Sequence, residues 1–167
     1  MILSKYKIKH KYLFNRKKKT AGRNNTGRIT VAHKGGGHKR LFRHLSFNNI
    51  FQNGMVIAFE YDPNRTARLA KICVIKNFEK FFFYILAPNS LKILDTIENC
   101  TLTNNTVVSE TSLYKIKQVG NCYFLKDLSV GDMIYNIEMY PQKGPKLVRA
   151  GGTSALILQK NDSYITI

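Results

Sequence analysis

Residues 55–61 hold the clearest hydrophobic pattern in the chain: Met55, Ile57, Phe59 and Tyr61 share one face, and Val56, Ala58 and Glu60 share the other. That period of two predicts a β-strand. Asp62-Pro63-Asn64-Arg65 follows and predicts a tight turn, because proline fixes φ and Asp and Asn suit the flanking positions. Residues 66–76, rich in β-branched and apolar side chains, predict the return strand. Residues 81–86 are apolar on both faces and predict a strand buried on both, ended by Ala87-Pro88-Asn89-Ser90. Upstream, residues 41–47 alternate well enough for a further strand, and Asn48-Asn49 and Gln52-Asn53-Gly54 carry turn chemistry.

From residue 96 to 111 the chain becomes polar, which places a domain boundary near residue 105. Beyond it, strand-like runs appear at residues 113–119, 133–140, 155–160 and 163–167, separated by Gly120-Asn121, by residues 129–132 and by residues 141–145. Short strands, polar turns and little helical periodicity predict an all-β protein. Its expected organisation is a basic tail over residues 1–21, an OB-fold barrel over 22–105 and an SH3-like barrel over 106–167. The last run, Tyr164-Ile165-Thr166-Ile167, reads as the middle of a sheet. The second barrel is therefore expected to be incomplete, with an edge that requires a partner.

Charge sharpens this picture. The 167 residues carry 27 Lys and Arg against 10 Asp and Glu, a net charge of +17. Residues 1–43 hold fourteen of the bases and no acid; the first acid is Glu60. A near-neutral body with a basic N-terminal arm is the footprint of a nucleic-acid binder. A membrane is not expected as partner: residues 1–20 show no apolar face at helical spacing, and no stretch approaches the ~18 apolar residues of a spanning helix. The opening segment is Lys-rich, with no secretory apolar region, and reads as a tail rather than a cleaved address. Cys73, Cys100 and Cys122 are far apart, without CxxC spacing. They predict neither zinc nor a disulfide framework, and fit a reducing compartment.

The stretch GRNNTGRITVAHKGGGHKRLFR, residues 22–43, concentrates the chemistry. Its Lys and Arg neutralise phosphates, its Asn and Thr offer hydrogen bonds, and Gly35-Gly36-Gly37 lets backbone N–H groups approach phosphate or ribose. GGGHKR lacks the spacing of a nucleotide-binding phosphate loop. The histidines His10, His33, His38 and His44 have no neighbouring carboxylate, nucleophile or metal-ligand partner at recognisable spacing. No catalytic residue and no metal ligand is expected. Arg65 in the turn and Arg68 after it each read as a phosphate contact or as a solvated charge. Residues 142–154, QKGPKLVRAGGTS, repeat the recipe of glycine, base and small hydroxyl. Two loops of matching chemistry on two small barrels favour RNA.

Four co-linear motifs then carry a resemblance: GRNNTGRITVAHKGGGHKRLFR, EYDPNRTARLAKI, YILAP and VGDMIYNIEMYPQKGPKLVRAGGTSA. Over roughly residues 20–167 the chain resembles the N-terminal and middle part of bacterial-type large-subunit ribosomal protein L-two. The resemblance implies an OB-fold followed by an SH3-like domain, both on large-subunit ribosomal RNA near the peptidyl transferase region, among other ribosomal proteins. By position it implies RNA contacts from Arg23, Asn24, Asn25, Arg28, His33, Lys34, Gly35, Gly36, Gly37, His38, Lys39, Arg40 and Arg43. It implies the same for Arg65, Lys146, Arg149, Gly151, Gly152, Thr153 and Ser154. No cofactor is expected beyond structural Mg2+ carried by the RNA. The family usually continues past this point with a glycine- and histidine-rich extension, so a split protein, with its other half in a separate chain, is the expectation. The family's basic residue and glycine at two motif positions are replaced by Ala32 and Pro145. Abundant Lys, Asn, Ile, Phe and Tyr suggest an A+T-rich genome, and together with the bacterial-type resemblance predict a mitochondrial ribosome. The alternative is a free-standing OB-type single-strand RNA binder, with Phe82 and Tyr84 as its stacking surface.

Overall fold

The computed structural model describes residues 11–47, 51–99, 117–140, 143–161 and 164–167, and these are nearly all β-strand and turn. A 3₁₀ turn at Lys11–Leu13 leads into β1, Phe14–Lys17, which pairs antiparallel with β2, Arg40–Arg43. Then come β3, Asn53–Glu60, β4, Leu69–Lys76, β5, Glu79–Leu86, and β6, Thr96–Glu98. These four form one antiparallel sheet in the order β5-β4-β3-β6. An isolated bridge from Leu45 to Tyr84 ties the segment after β2 to β5. The result is the all-β architecture expected, with open sheets.

This sheet carries apolar packing on both faces. Phe51, Val56, Ala70, Ile72, Ile85, Leu91 and Ile97 form one core cluster. Leu13, Leu69, Phe82, Tyr84 and Leu86 form the other, with Phe14, Phe47, Ile57 and Tyr135 packed around it. β5 feeds Ile85 to the first cluster and Phe82, Tyr84 and Leu86 to the second, so the strand is indeed apolar on both sides because both sides are covered. The same placement gives Phe82 and Tyr84 to the core rather than to a stacking surface. In β3 it is Val56 that is fully buried, whereas Met55, Phe59 and Tyr61 of the more apolar row are exposed. A register shift between Val56 and Ala58 interrupts the alternation there, as a bulge does when one extra residue opposes the partner strand.

The barrel also begins earlier than the sequence suggested. Residues 11–17 belong to the fold: Leu13 is buried in the second cluster, and the hydroxyl of Tyr12 accepts the Phe82 N–H at 3.0 Å. Tyr12-Leu13-Phe14 is too short an apolar run among basic residues to carry a periodic signal, so the stretch reads as tail.

The expected boundary near residue 105 and the strand start at residue 113 lie outside the described residues. The chain re-enters beside β6, where Cys122 N–H donates to the Glu98 carbonyl at 3.1 Å and Glu98 N–H donates to Asn121 Oδ1 at 2.9 Å. The second half holds short antiparallel pairs: β7, Met133–Ile134, with β10, Ala155–Leu156; β8, Ile137–Glu138, with β9, Pro145–Leu147; and β11, Gln159–Lys160, with β12, Ile165–Thr166. Two runs that looked continuous are each broken in two. Between β7 and β8, Asn136 turns to φ 59° and its N–H donates to the Val148 carbonyl at 2.9 Å. Between β10 and β11, Ile157 is buried and exchanges backbone hydrogen bonds with the residue 131–132 turn. β9 runs through part of the 142–154 segment that read as loop.

Candidate nucleic-acid interface

The β1–β2 ribbon closes a loop of residues 18–39 at its base. Almost every side chain in that loop is exposed, yet the loop has internal order. The Gly22 carbonyl accepts the N–H groups of Thr30 and Val31 at 2.9 and 3.1 Å. Gly22 itself sits at φ 73°, and a Cβ there would meet the Val31 carbonyl oxygen at 2.2 Å, so no other residue fits. Asn24 Oδ1 accepts from the Thr26 N–H, the Thr26 hydroxyl and the Arg28 N–H at 3.0, 2.7 and 2.9 Å. One side-chain oxygen thus shapes the turn that presents Arg23, Asn25 and Arg28 to solvent. His33 at φ 60° makes the next bend, and Lys34, Gly35, His38 and Lys39 follow on the exposed surface with Gly36 half-buried. Lys19 Nζ donates to the His38 carbonyl at 3.1 Å, and Gly37 takes φ 59°.

Asp62-Pro63-Asn64-Arg65 anchors this ribbon to the sheet. Arg40 Nη1 donates to the Pro63 carbonyl at 3.2 Å, and Asn64 Nδ2 donates to the Leu41 carbonyl at 2.6 Å. Within the turn the Asp62 carboxylate is fully buried. It accepts from the Asn64 N–H and Nδ2 at 3.0 Å and from Arg65 Nε at 2.7 Å. Burial pushes the Asp62 carboxyl up, but these hydrogen bonds and the Arg65 charge outweigh it and hold the group below its ordinary value. Arg65 is thereby fixed in place, with Nε committed to Asp62.

The other loop docks at the end of that turn, on Thr66. Gly151 N–H donates to Thr66 Oγ1 at 3.0 Å, and Gly152 takes φ 76°. Thr153 bends the loop back by donating its hydroxyl to the Ala150 carbonyl at 2.8 Å. The guanidinium of Arg149 lies over the Phe47 ring, 4.4 Å from its centroid. Lys146 stands exposed on β9 and Ser154 is exposed after the loop. Between the two halves opens a cleft of about 540 Å³, lined among others by Thr66, Arg68, Asn89, Tyr135, Arg149 and Gly152. Tyr135 belongs to its apolar wall, and burial pushes its phenol up to about 12.

Most residues expected on RNA therefore fall into two groups, 23–40 and 146–154, each touching the 62–66 turn, while Arg65 lies half-buried in the turn itself. Arg43 stands apart. Its Nε lies 3.5 Å from Glu60 Oε2, its side chain is largely buried, and the same carboxylate oxygen accepts the Tyr84 hydroxyl at 2.7 Å. Arg43 thus serves an internal ion pair. Sequence reasoning missed Phe47 as the seat of Arg149, Thr66 as the receptor of Gly151, and Asn64 as the joint to the ribbon. Asn64 and Thr66 stand in the turn and motif that the sequence marks, but their partners are distant in sequence, and Phe47 carries no signal of its own.

The model of Ribosomal Proteins L2, RNA binding N-terminal domain, matches residues 10–99, and that of Ribosomal Proteins L2, C-terminal domain, matches residues 118–167. The large ribosomal subunit protein uL2m of Reclinomonas americana is 44% identical over 146 residues, 86% of this chain and 47% of that protein. The large ribosomal subunit protein uL2 of Alcanivorax borkumensis is 40% identical over 157 residues, 93% of this chain and 52% of that protein. The chain spans about half the length of the curated relatives it matches.

Proposed function

We propose, on the premise that this chain belongs to the family of ribosomal proteins L2, that it is a structural, non-catalytic constituent of the large ribosomal subunit that binds ribosomal RNA. The observation that carries this reading is the anchoring of two basic, glycine-bearing loops on one ordered turn. Phosphates are neutralised by Arg23, Arg28, Lys34, Lys39, Arg40, Lys146 and Arg149, and backbone N–H groups of the glycine runs approach the ribose–phosphate chain. Two loops held at a set spacing read the shape of an RNA fold rather than its sequence. Mg2+ enters only with the RNA.

Its place is near the peptidyl transferase region of a mitochondrial ribosome, among other ribosomal proteins. The mitochondrial assignment is supported by the match to a uL2m protein and by the A+T-type composition; the bacterial relative matches at similar identity. A separate chain bearing the rest of the family's length belongs to the same proposal. Its support is the exposure of Met133 on β7, Leu156 on β10 and Leu158 between β10 and β11, apolar positions that a partner would cover.

The test is sedimentation of the tagged protein through a high-salt gradient with sequencing of crosslinked RNA. Co-migration with the large subunit and crosslinks from residues 22–43 to its ribosomal RNA are expected. Release into the light fractions, with crosslinks scattered over other RNAs, overturns the reading in favour of a free-standing single-strand binder. Mass spectrometry of the same fraction identifies any second chain and the compartment of the particle.

A further inference from the structure

The hairpin joining β4 to β5 turns on two residues, Asn77 and Phe78, between the opposed Lys76 and Glu79. Both adopt positive φ, 51° and 62°, the geometry of a two-residue turn whose second position favours glycine. A phenylalanine there is a backbone outlier. Its ring gains nothing from the fold in return, because Phe78 is fully exposed, at 102% of its reference area. A strained backbone with an unburied aromatic is the combination that points to an external ligand.

The surroundings of the ring select the ligand. Lys76 and Lys80 flank the turn within two residues on either side, against the single acid Glu79. Ile75 lies opposite Lys80, and Phe81 lies opposite Val74. Alternation therefore puts Ile75 and Phe81 on opposite faces of the ribbon, and they form no continuous apolar patch with each other. A protein partner calls for a contiguous apolar centre to its interface. A lone projecting ring between two lysines instead matches a nucleobase with phosphates on either side, since aromatic side chains stack on unpaired bases and lysines hold the backbone.

We propose that Phe78 is a stacking residue: it projects from the β4–β5 hairpin onto an unpaired nucleobase of the bound RNA, with Lys76 and Lys80 on the adjoining phosphates. This contact is separate from the 22–43 and 146–154 loops, and it rests on the reading of the chain as a ribosomal-RNA binder.

The experiment compares the full chain with Phe78→Gly, Phe78→Tyr and Arg28→Ala, binding to large-subunit ribosomal RNA transcribed in vitro across a range of salt. Phe78→Gly relieves the turn, so the free protein melts at higher temperature, yet its affinity falls about ten-fold. The salt slope stays unchanged because no phosphate contact is removed. Phe78→Tyr keeps the ring and keeps the affinity. Arg28→Ala lowers both affinity and slope. Affinity of Phe78→Gly equal to that of the unchanged chain overturns the stacking role while leaving ribosomal-RNA binding intact; no binding by the unchanged chain overturns both. A photoreactive phenylalanine at position 78 in the assembled subunit is expected to crosslink to RNA, and a crosslink to a neighbouring protein alone also overturns the proposal.

Discussion

Gly151 and Thr66, 85 positions apart, meet through a 3.0 Å hydrogen bond from the glycine N–H to the threonine hydroxyl. The approach is too close for a side chain: a Cβ on Gly151 would lie 2.9 Å from the Thr66 carbonyl oxygen and 3.2 Å from the Ala67 nitrogen. Gly151→Ala therefore pushes the 149–154 loop off the turn. Such overpacking costs about 1–3 kcal/mol, and urea unfolding monitored by circular dichroism should show the midpoint fall accordingly. RNA affinity falls with it, because Arg149 moves with the loop.

Asp62 predicts a pH dependence. Its folded carboxyl titrates below its ordinary value, so its stabilisation is complete above about pH 4 and fades as pH drops through the lower folded value. Asp132, held down by a hydrogen bond from Lys117 and another from the Ser129 N–H, acts in the same window and sign. Asp62→Asn removes the anion that Arg65 and Asn64 share, at a cost of about 1.5–3 kcal/mol. Thermal melts from pH 7 to pH 3 should show a shallower acid loss for the variant than for the unchanged chain.

Arg149 offers a charge-neutral test of geometry. A planar guanidinium stacks on the Phe47 ring, and a lysine ammonium does not reproduce that planar contact. Arg149→Lys keeps the charge but loses the seat, so RNA affinity at fixed salt should drop several-fold while the salt slope holds. Equal affinity would place the contribution of Arg149 in its charge alone.

Leu94 predicts a gain. It is exposed and held at φ 77°, which an L side chain tolerates poorly. Leu94→Gly exchanges that strain for some backbone entropy, and should stabilise the chain by about 0.5–1 kcal/mol in equilibrium unfolding.

The central sheet was legible because its pattern is local. Residues 55–61 alternate, 62–65 carry turn chemistry, and 81–86 are apolar at every position, so β3, β4 and β5 follow from neighbours in sequence. What escaped depends on distant partners. The ion pair of Arg43 is hidden in the sequence because its partner, Glu60, arrives only with β3. The breaks at Asn136 and Ile157 escaped because both positions sit in apolar, strand-like runs; only their hydrogen bonds to Val148 and to the 131–132 turn reveal them. The basic character of residues 23–40 was plain, whereas the role of Asn24 as acceptor to three donors was not. Asn serves both loops and RNA, and composition does not separate the two.

Leu13, buried beneath Phe82 and Tyr84, has a consequence for the loop that begins five residues after it. A basic arm hung loosely from a barrel would have to be ordered by its ligand, at a cost in conformational entropy that subtracts from affinity. Here the core grips one root of the loop, and β1–β2 pairing sets the other against it. The loop thus meets its ligand preorganised. Core repair far from any phosphate then becomes a lever on binding: shaving Leu13 down would loosen the grip and weaken association without touching a single cation.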